Sequence, residues 1–175
     1  TDFIVMVKGI SSMALAGRHL VKAATGEDVT EEEMGGSDVH TKISGVADLA
    51  VEDDVACLDA VKQYLSFLPS NNQEDPPRRP CSDPIDRRDP ELNTIVPDAS
   101  DKPYDMKELI RRVVDDGDFF EVQEHYAPNI VVGFARLNGR PIGVVANQPK
   151  VLAGVLDIDS SVKAAKVEKV VKDPQ

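Results

Sequence analysis

The stretch that most constrains the fold runs from Gly133 to Pro149. Two apolar runs there flank the pair Asn138-Gly139. Asn-Gly between apolar runs is the strongest short signal for a tight hairpin, because both turn residues accept positive φ. The pattern predicts antiparallel strands over 130–137 and 140–146. Upstream, Asp105 is placed to cap a helix running to about Asp115, with Leu109, Ile110, Val113 and Val114 on its apolar face and Gly117 at its end. Phe119 to Val122 follows. Beyond Pro149 a loop leads to a last helix from Ser161, capped by Asp157, Asp159 or Ser160. That helical pattern fades into polar residues by Gln175.

The first seventy residues read as a separate unit. Phe3 to Val7 is a buried strand, and a short helix over Gly17–Ala24 is ended by Gly26. Thr30 and Glu33 form a capping box, and Gly35-Gly36 stop the helix it starts. Residues 51–68 carry Val51, Val55, Leu58, Val61, Leu65 and Leu68 at steps of three and four, a stripe predicted to face the core. From Asn71 to Pro103 the character changes, with seven of the chain's 12 prolines. Proline opposes helix interiors and central strands, so this stretch reads as a linker or an extended arm. The organisation expected is therefore 1–70, a Pro-rich linker over 71–104, and 105–175. A core strand that starts at residue 3, behind a Thr1 that is not an initiator Met, points to a piece of a longer chain.

Composition narrows the partners. A formal net charge of −11 argues against nucleic acid or an anionic membrane as the partner of the whole chain. A local patch or backbone N–H groups can still hold an anion. No apolar run reaches the roughly 18 residues that a membrane span needs, and no signal peptide is visible. Cys57 and Cys81 are read as reduced thiols of a cytoplasmic or mitochondrial-matrix protein. The histidines show no ligand spacing, so no metal is expected.

Two constellations are candidate sites. Gly35-Gly36 with His40, Ser44 and Gly45 offers close backbone approach, amide donors for an oxyanion and a general base. On the residues alone it reads more simply as a helix C-cap followed by a turn. In the hairpin, Gly133 signals close backbone approach, Arg136 and Arg140 are either cations able to meet a phosphate or solvated arginines on a structural hairpin, and Asn147-Gln148-Pro149 presents amide donors or simply turns the chain. The charged stretch Asp83 to Glu91 is either an interaction arm or a solvated loop with surface ion pairs. No phosphate loop of nucleotide-binding type and no Gly-x-Ser-x-Gly elbow is present.

Several segments, taken together and in order, resemble one family. They are Glu27-Asp28-Val29-Thr30, Gly35-Gly36 with His40 and Ser44 to Ala47, Asp83-Pro84 with Asp86-Arg87, Glu91 to Pro97, Gly133 to Pro149, and Leu156 to Lys163. This set resembles biotin-dependent acyl-CoA carboxylase carboxyltransferase β subunits of the propionyl-CoA type. The resemblance implies an α/β crotonase-like fold of ββα spiral turns, present here as parts of two domains. It implies transfer of a carboxyl group from carboxybiotin to the α-carbon of an acyl-CoA, propionyl-CoA first and acetyl-CoA next. Biotin would arrive on a biotin carrier subunit that works with a biotin carboxylase, and the carboxyltransferase would be a homo-oligomer, a hexamer in the full-length family. No side-chain nucleophile is implied, because backbone N–H pairs polarise the two carbonyls. The thioester-side glycines are expected before Thr1 and the biotin-side Gly-Ala pair after Gln175, which would leave the isolated chain inactive. The residues expected beside the acyl-CoA or biotin site are Gly35, Gly36, His40, Ser44, Gly45, Gly133, Arg136, Asn147, Gln148 and Pro149. From Lys166 to Lys169 the sequence departs from the family. Alternatives are a non-catalytic binding or assembly piece and the carboxyltransferase subunit of a sodium-pumping decarboxylase.

Overall fold

The structure, a computed structural model, describes residues 2–99 and 101–172, with side chains inside the last helix described through Val167. The polar end expected from Asp173 to Gln175 lies outside the described residues. Two compact units are present. One comprises residues 1–62 with 123–126, the other 63–122 with 127–175. Residues 71–104 fall wholly within the second unit.

In the first unit, strands β1 (Val5–Val7) and β2 (Leu49–Val51) pair in parallel, Met6 opposite Ala50. Buried Asp48 fastens the start of the pair, its Oδ2 accepting from the amide of Ile4 at 2.8 Å. Between the strands lie α1 (Arg18–Thr25), closed by left-handed Gly26, and α2 (Glu31–Gly35). The capping box forms as read: Thr30 Oγ1 accepts from the Glu33 amide, and the Glu33 carboxylate accepts from the Thr30 amide at 2.9 Å. The Thr30 amide and then the Thr30 hydroxyl, both donating to that carboxylate, hold the Glu33 carboxyl below its usual range. A π-turn over Val39–Ile43 follows.

Helix α3 (Asp54–Leu65) corrects the predicted stripe. Val51 belongs to β2, and Val55, Leu58 and Leu65 are exposed. The inward residues are Tyr64 and, just past the helix, Phe67. Aliphatic periodicity outweighed two aromatics in the sequence reading, yet the aromatics have ring partners. Tyr64 meets the Phe134 ring edge-on at 5.6 Å between centroids, and Phe67 packs on Phe120 and Phe134.

The second unit is built on an antiparallel sheet in the order β3 (Phe120–Val122), β4 (Ile130–Leu137), β5 (Arg140–Asn147). The hairpin forms in the predicted register, Leu137 opposite Arg140. Asn138 and Gly139 both take positive φ, 50° and 73°, as a primed two-residue turn requires. All of β4 except Leu137 is buried, which explains its unbroken apolar run. On one face Val131 and Ala135 pack with Ile110 and Val114 of the α5 region (helix Met106–Val113, capped by Asp105). Gly133 faces Phe119, and a Cβ there would lie 2.3 Å from the Phe120 carbonyl oxygen. A short helix α4 (Leu92–Ile95) precedes α5.

The charged stretch after Pro80 folds back within the unit. The Arg87 guanidinium donates to the carbonyls of Arg112 and Val113 at the C-terminal end of α5, where the helix dipole is negative. Asp89 pairs with Arg112 at 3.0 Å. The last helix, α6 (Ile158–Lys172), begins three residues earlier than predicted. Asp157 is the cap, its Oδ1 accepting from the Ser160 amide at 2.8 Å while Ser160 Oγ accepts from the Asp157 amide. Its inward face carries Ser160, Lys163 and Val167. Lys163 is fully buried and donates to the carbonyls of Ala127 and Ile130.

Candidate functional site

The loop from Gly35 to Gly45 is organised around His40. Its Nε2 lies 2.8 Å from the carbonyl oxygen of Met13, and its Nδ1 lies 2.9 Å from Ser44 Oγ. A carbonyl only accepts, so Nε2 carries the ring proton. Nδ1 is then the acceptor, and the Ser44 hydroxyl donates to it. Gly35 makes this possible. A Cβ at Gly35 would sit 1.9 Å from the Met13 oxygen, so any other residue would push that carbonyl away from the imidazole. The Met13 amide in turn donates to the Gly35 carbonyl at 2.8 Å. Gly36 has only the carboxylate of Glu32 against it, the movable end of an exposed side chain.

The π-turn sets the other half. The Ser44 amide donates to the Val39 carbonyl at 3.0 Å, five residues back, and the widened turn lays Ser44 Oγ beside His40. Gly45 follows at φ 65°, packed so closely on the ring of Tyr126 that a Cβ would come within 2.5 Å. The side-chain amide of Gln123 donates to the Gly45 carbonyl, and the Gln123 amide N–H donates to the Asp48 carbonyl at 2.8 Å. The loop is therefore braced from below, while Ser44 remains exposed and His40 half-buried. Gln123, a residue missed in the sequence, is almost fully buried at φ 53°, and its Oε1 has no partner among the described residues.

The hairpin turns two of its polar side chains, Arg136 and Gln148, inward. Arg136 is buried, stacked with its guanidinium carbon 4.1 Å from the Phe67 ring centroid, and donates to the Ser66 carbonyl and hydroxyl at 2.9 Å. Burial and then nearby Arg79 push this guanidinium down from its ordinary value, against the pull of Asp118 and Asp115. Its guanidinium is thus committed to Ser66 and Phe67 within the unit. Gln148, also buried, accepts from the Met106 amide at 3.1 Å and donates to Asp105 at 2.9 Å. Asn147 donates to the Gly154 carbonyl, and Pro149 is half-buried in the same bend. Arg140 stays exposed.

Behind the hairpin tip lies a polar knot that sequence reading did not find. Asp115 accepts from the amides of Asn138 and Gly139 at 2.9 and 2.7 Å, and the Arg79 amide donates to the Gly139 carbonyl at 3.0 Å. Burial pushes the Asp115 carboxyl up, but those two amides and the Cys81 thiol outweigh it and hold it below its usual range. Burial and the neighbouring Asp115 push the Cys81 thiol up, which disfavours its thiolate. Cys81, Asp83 and Asp115 are close enough to share a cation, but each is already engaged in the knot and Arg87 pairs with Asp83.

Among the described residues no helix is long and apolar enough to cross a membrane. Residues 1–173 match the carboxyl transferase domain. The β chain of propionyl-CoA carboxylase from Roseobacter denitrificans is 57% identical over 166 residues, 95% of this chain and 32% of that protein. The α subunit of methylmalonyl-CoA decarboxylase from Propionigenium modestum is 47% identical over the same share of this chain and 32% of its own. Transcarboxylase 12S, solved as a hexamer with methylmalonyl-CoA and methylmalonic acid bound, superposes with a TM-score of 0.91 at 45% identity, covering 95% of this chain and 32% of that one. This chain thus spans about a third of the length of the relatives it matches. Its mixed α/β architecture is the crotonase-like carboxyltransferase fold that the ordered motifs implied. By the match over nearly its whole length and the superposition together, the chain belongs to the carboxyl transferase domain family.

Proposed function

We propose that these residues serve, in the whole protein, the transfer of a carboxyl group from carboxybiotin to the α-carbon of an acyl-CoA, with propionyl-CoA as the acceptor. The observation that carries this reading is the 57% identity to a propionyl-CoA carboxylase β chain across 95% of the chain. When bound, biotin supplies the activated carboxyl group. The chain's own residues at the Gly35–Gly45 loop fit a polar thioester ligand: an exposed hydroxyl, a histidine of fixed tautomer and tightly packed glycines that bring backbone close. The hairpin fits biotin less directly. Arg136 and Gln148 are buried, and the Asn147 and Gln148 side chains have partners within the unit, so this region positions backbone instead of donating side chains.

In this reading residues 1–70 close an N-terminal domain that holds acyl-CoA, 71–104 join it to the next, and 105–175 open a C-terminal domain that holds biotin. The partners are a biotin carrier and a biotin carboxylase subunit, the assembly is a hexamer as in transcarboxylase 12S, and the compartment is the cytoplasm or, in a eukaryote, the mitochondrial matrix. The test is carboxylation of free biotin by the full-length protein with methylmalonyl-CoA as donor. Turnover that depends on methylmalonyl-CoA is expected, and its absence overturns the reading. The similarity to a methylmalonyl-CoA decarboxylase subunit favours a second reading, the carboxyltransferase of a sodium-pumping decarboxylase. Sodium-dependent release of CO2 from methylmalonyl-CoA by the protein with its native membranes would select it.

A further inference from the structure

We infer that Ser44 is a nucleophile able to take an acyl group from a thioester, with His40 as its base. The inference rests on the acyl-CoA reading for its substrate but on local geometry for its chemistry. Four features converge. Ser44 Oγ donates to His40 Nδ1 at 2.9 Å, so the base is within proton-transfer reach of the hydroxyl. The opposite ring nitrogen is anchored on the Met13 carbonyl at 2.8 Å, which fixes the tautomer that leaves Nδ1 unprotonated. Gly35, by lacking a Cβ, lets that carbonyl reach the ring. The residue after the serine, Gly45, is held at φ 65° by Tyr126 and Gln123, and its amide N–H has no partner among the described residues. An amide immediately after a nucleophilic serine is a common oxyanion donor.

The chemistry closes without an added oxidant or metal. Ser44 Oγ attacks the thioester carbonyl carbon as its proton passes to His40 Nδ1. The carbonyl oxygen takes the electron pair and is met by the Gly45 amide. Collapse re-forms the C=O bond and breaks the C–S bond, and the imidazolium proton goes to the leaving CoA thiolate. The products are acyl-Ser44 and CoA. Water, deprotonated by the same histidine, then hydrolyses the ester. The activity is a slow thioesterase side reaction beside carboxyl transfer.

The test runs in two arms on the purified full chain. A fluorophosphonate probe, which reports an activated serine whatever the substrate, is expected to label Ser44 as located by peptide mass mapping. Labelling is expected to fall at least tenfold in Ser44→Ala and in His40→Gln. Ser44→Ala removes only an exposed hydroxyl and keeps the fold, so it stands even if His40→Gln unfolds. An unlabelled Ser44 in the folded protein, or unchanged labelling in Ser44→Ala, overturns the inference. In the second arm propionyl-CoA is expected to leave a propionyl group on Ser44 with release of free thiol. Fluorophosphonate labelling without acylation by propionyl-CoA overturns the thioester assignment, while the biotin carboxylation assay judges carboxyl transfer separately.

Discussion

The loop from Gly35 to Gly45 and the hairpin from Gly133 to Pro149 have similar inventories of glycines and polar side chains, and the fold treats them in opposite ways. In the loop Gly35 and Gly45 are confined from below while Ser44 stays in solvent with its proton aimed at His40. In the hairpin Arg136 and Gln148 are pulled into the core and paired with Ser66, Asp105 and Met106. A polar residue inside a family motif can therefore be there for chemistry or for architecture. Burial and partners decide which, and residue type does not.

The comparison can be broken by substitution. Gly133→Val should be the most damaging, because the new Cβ meets the Phe120 carbonyl and the Phe119 ring where β3 pairs with β4. A loss of about 3 kcal/mol is expected from overpacking, read as the shift in denaturant midpoint. Arg136→Ala should cost about 2 kcal/mol through lost stacking on Phe67 and unpaired Ser66. Arg136→Lys should recover little of it, because an ammonium cannot stack as a plane. If Arg136 instead served a ligand, stability would stay unchanged and only activity would fall.

Asp115→Asn should cost about 1 kcal/mol at neutral pH. The native carboxyl is held below its usual range, so its contribution is present above the ordinary carboxylate pKa, about 4, and is lost as pH falls through the depressed value. The stability gap between wild type and Asp115→Asn should therefore shrink on acidification from pH 7 to pH 3, measured by denaturant titration at each pH. A gap that does not change with pH would remove Asp115 from the knot. Ser44→Ala should be the mildest, within about 0.5 kcal/mol, as for other exposed positions. A larger loss would make the loop as structural as the hairpin.

Much of this was legible in the sequence. The hairpin register, the Thr30–Glu33 capping box and the Asp105 cap follow from local rules that need no tertiary partner. What was not legible depends on contacts distant in the chain. The α3 stripe failed because Val55 and Leu58 repeat at helical spacing whether or not anything covers them, whereas Tyr64 and Phe67 found rings about 70 residues later. Arg136 looked like a phosphate ligand because nothing local revealed that Ser66 and Phe67 would enclose it. His40 looked solitary because its partners are Ser44, four residues on, and a carbonyl 27 residues back.

The knot at the hairpin tip also bears on how the protein ages. Asn-Gly pairs lose ammonia when the glycine amide nitrogen attacks the asparagine side chain and closes a succinimide, which opens mostly to isoaspartate. Here the amide that must attack, that of Gly139, is hydrogen-bonded to Asp115 at 2.7 Å, and its carbonyl is tied to Arg79. The turn that the sequence advertises most loudly is thus chemically shielded by a residue more than twenty positions away. Stored samples of Asp115→Ala should accumulate isoaspartate at Asn138 several-fold faster than wild type in peptide maps, making Asp115 the guardian of the chain's shelf life.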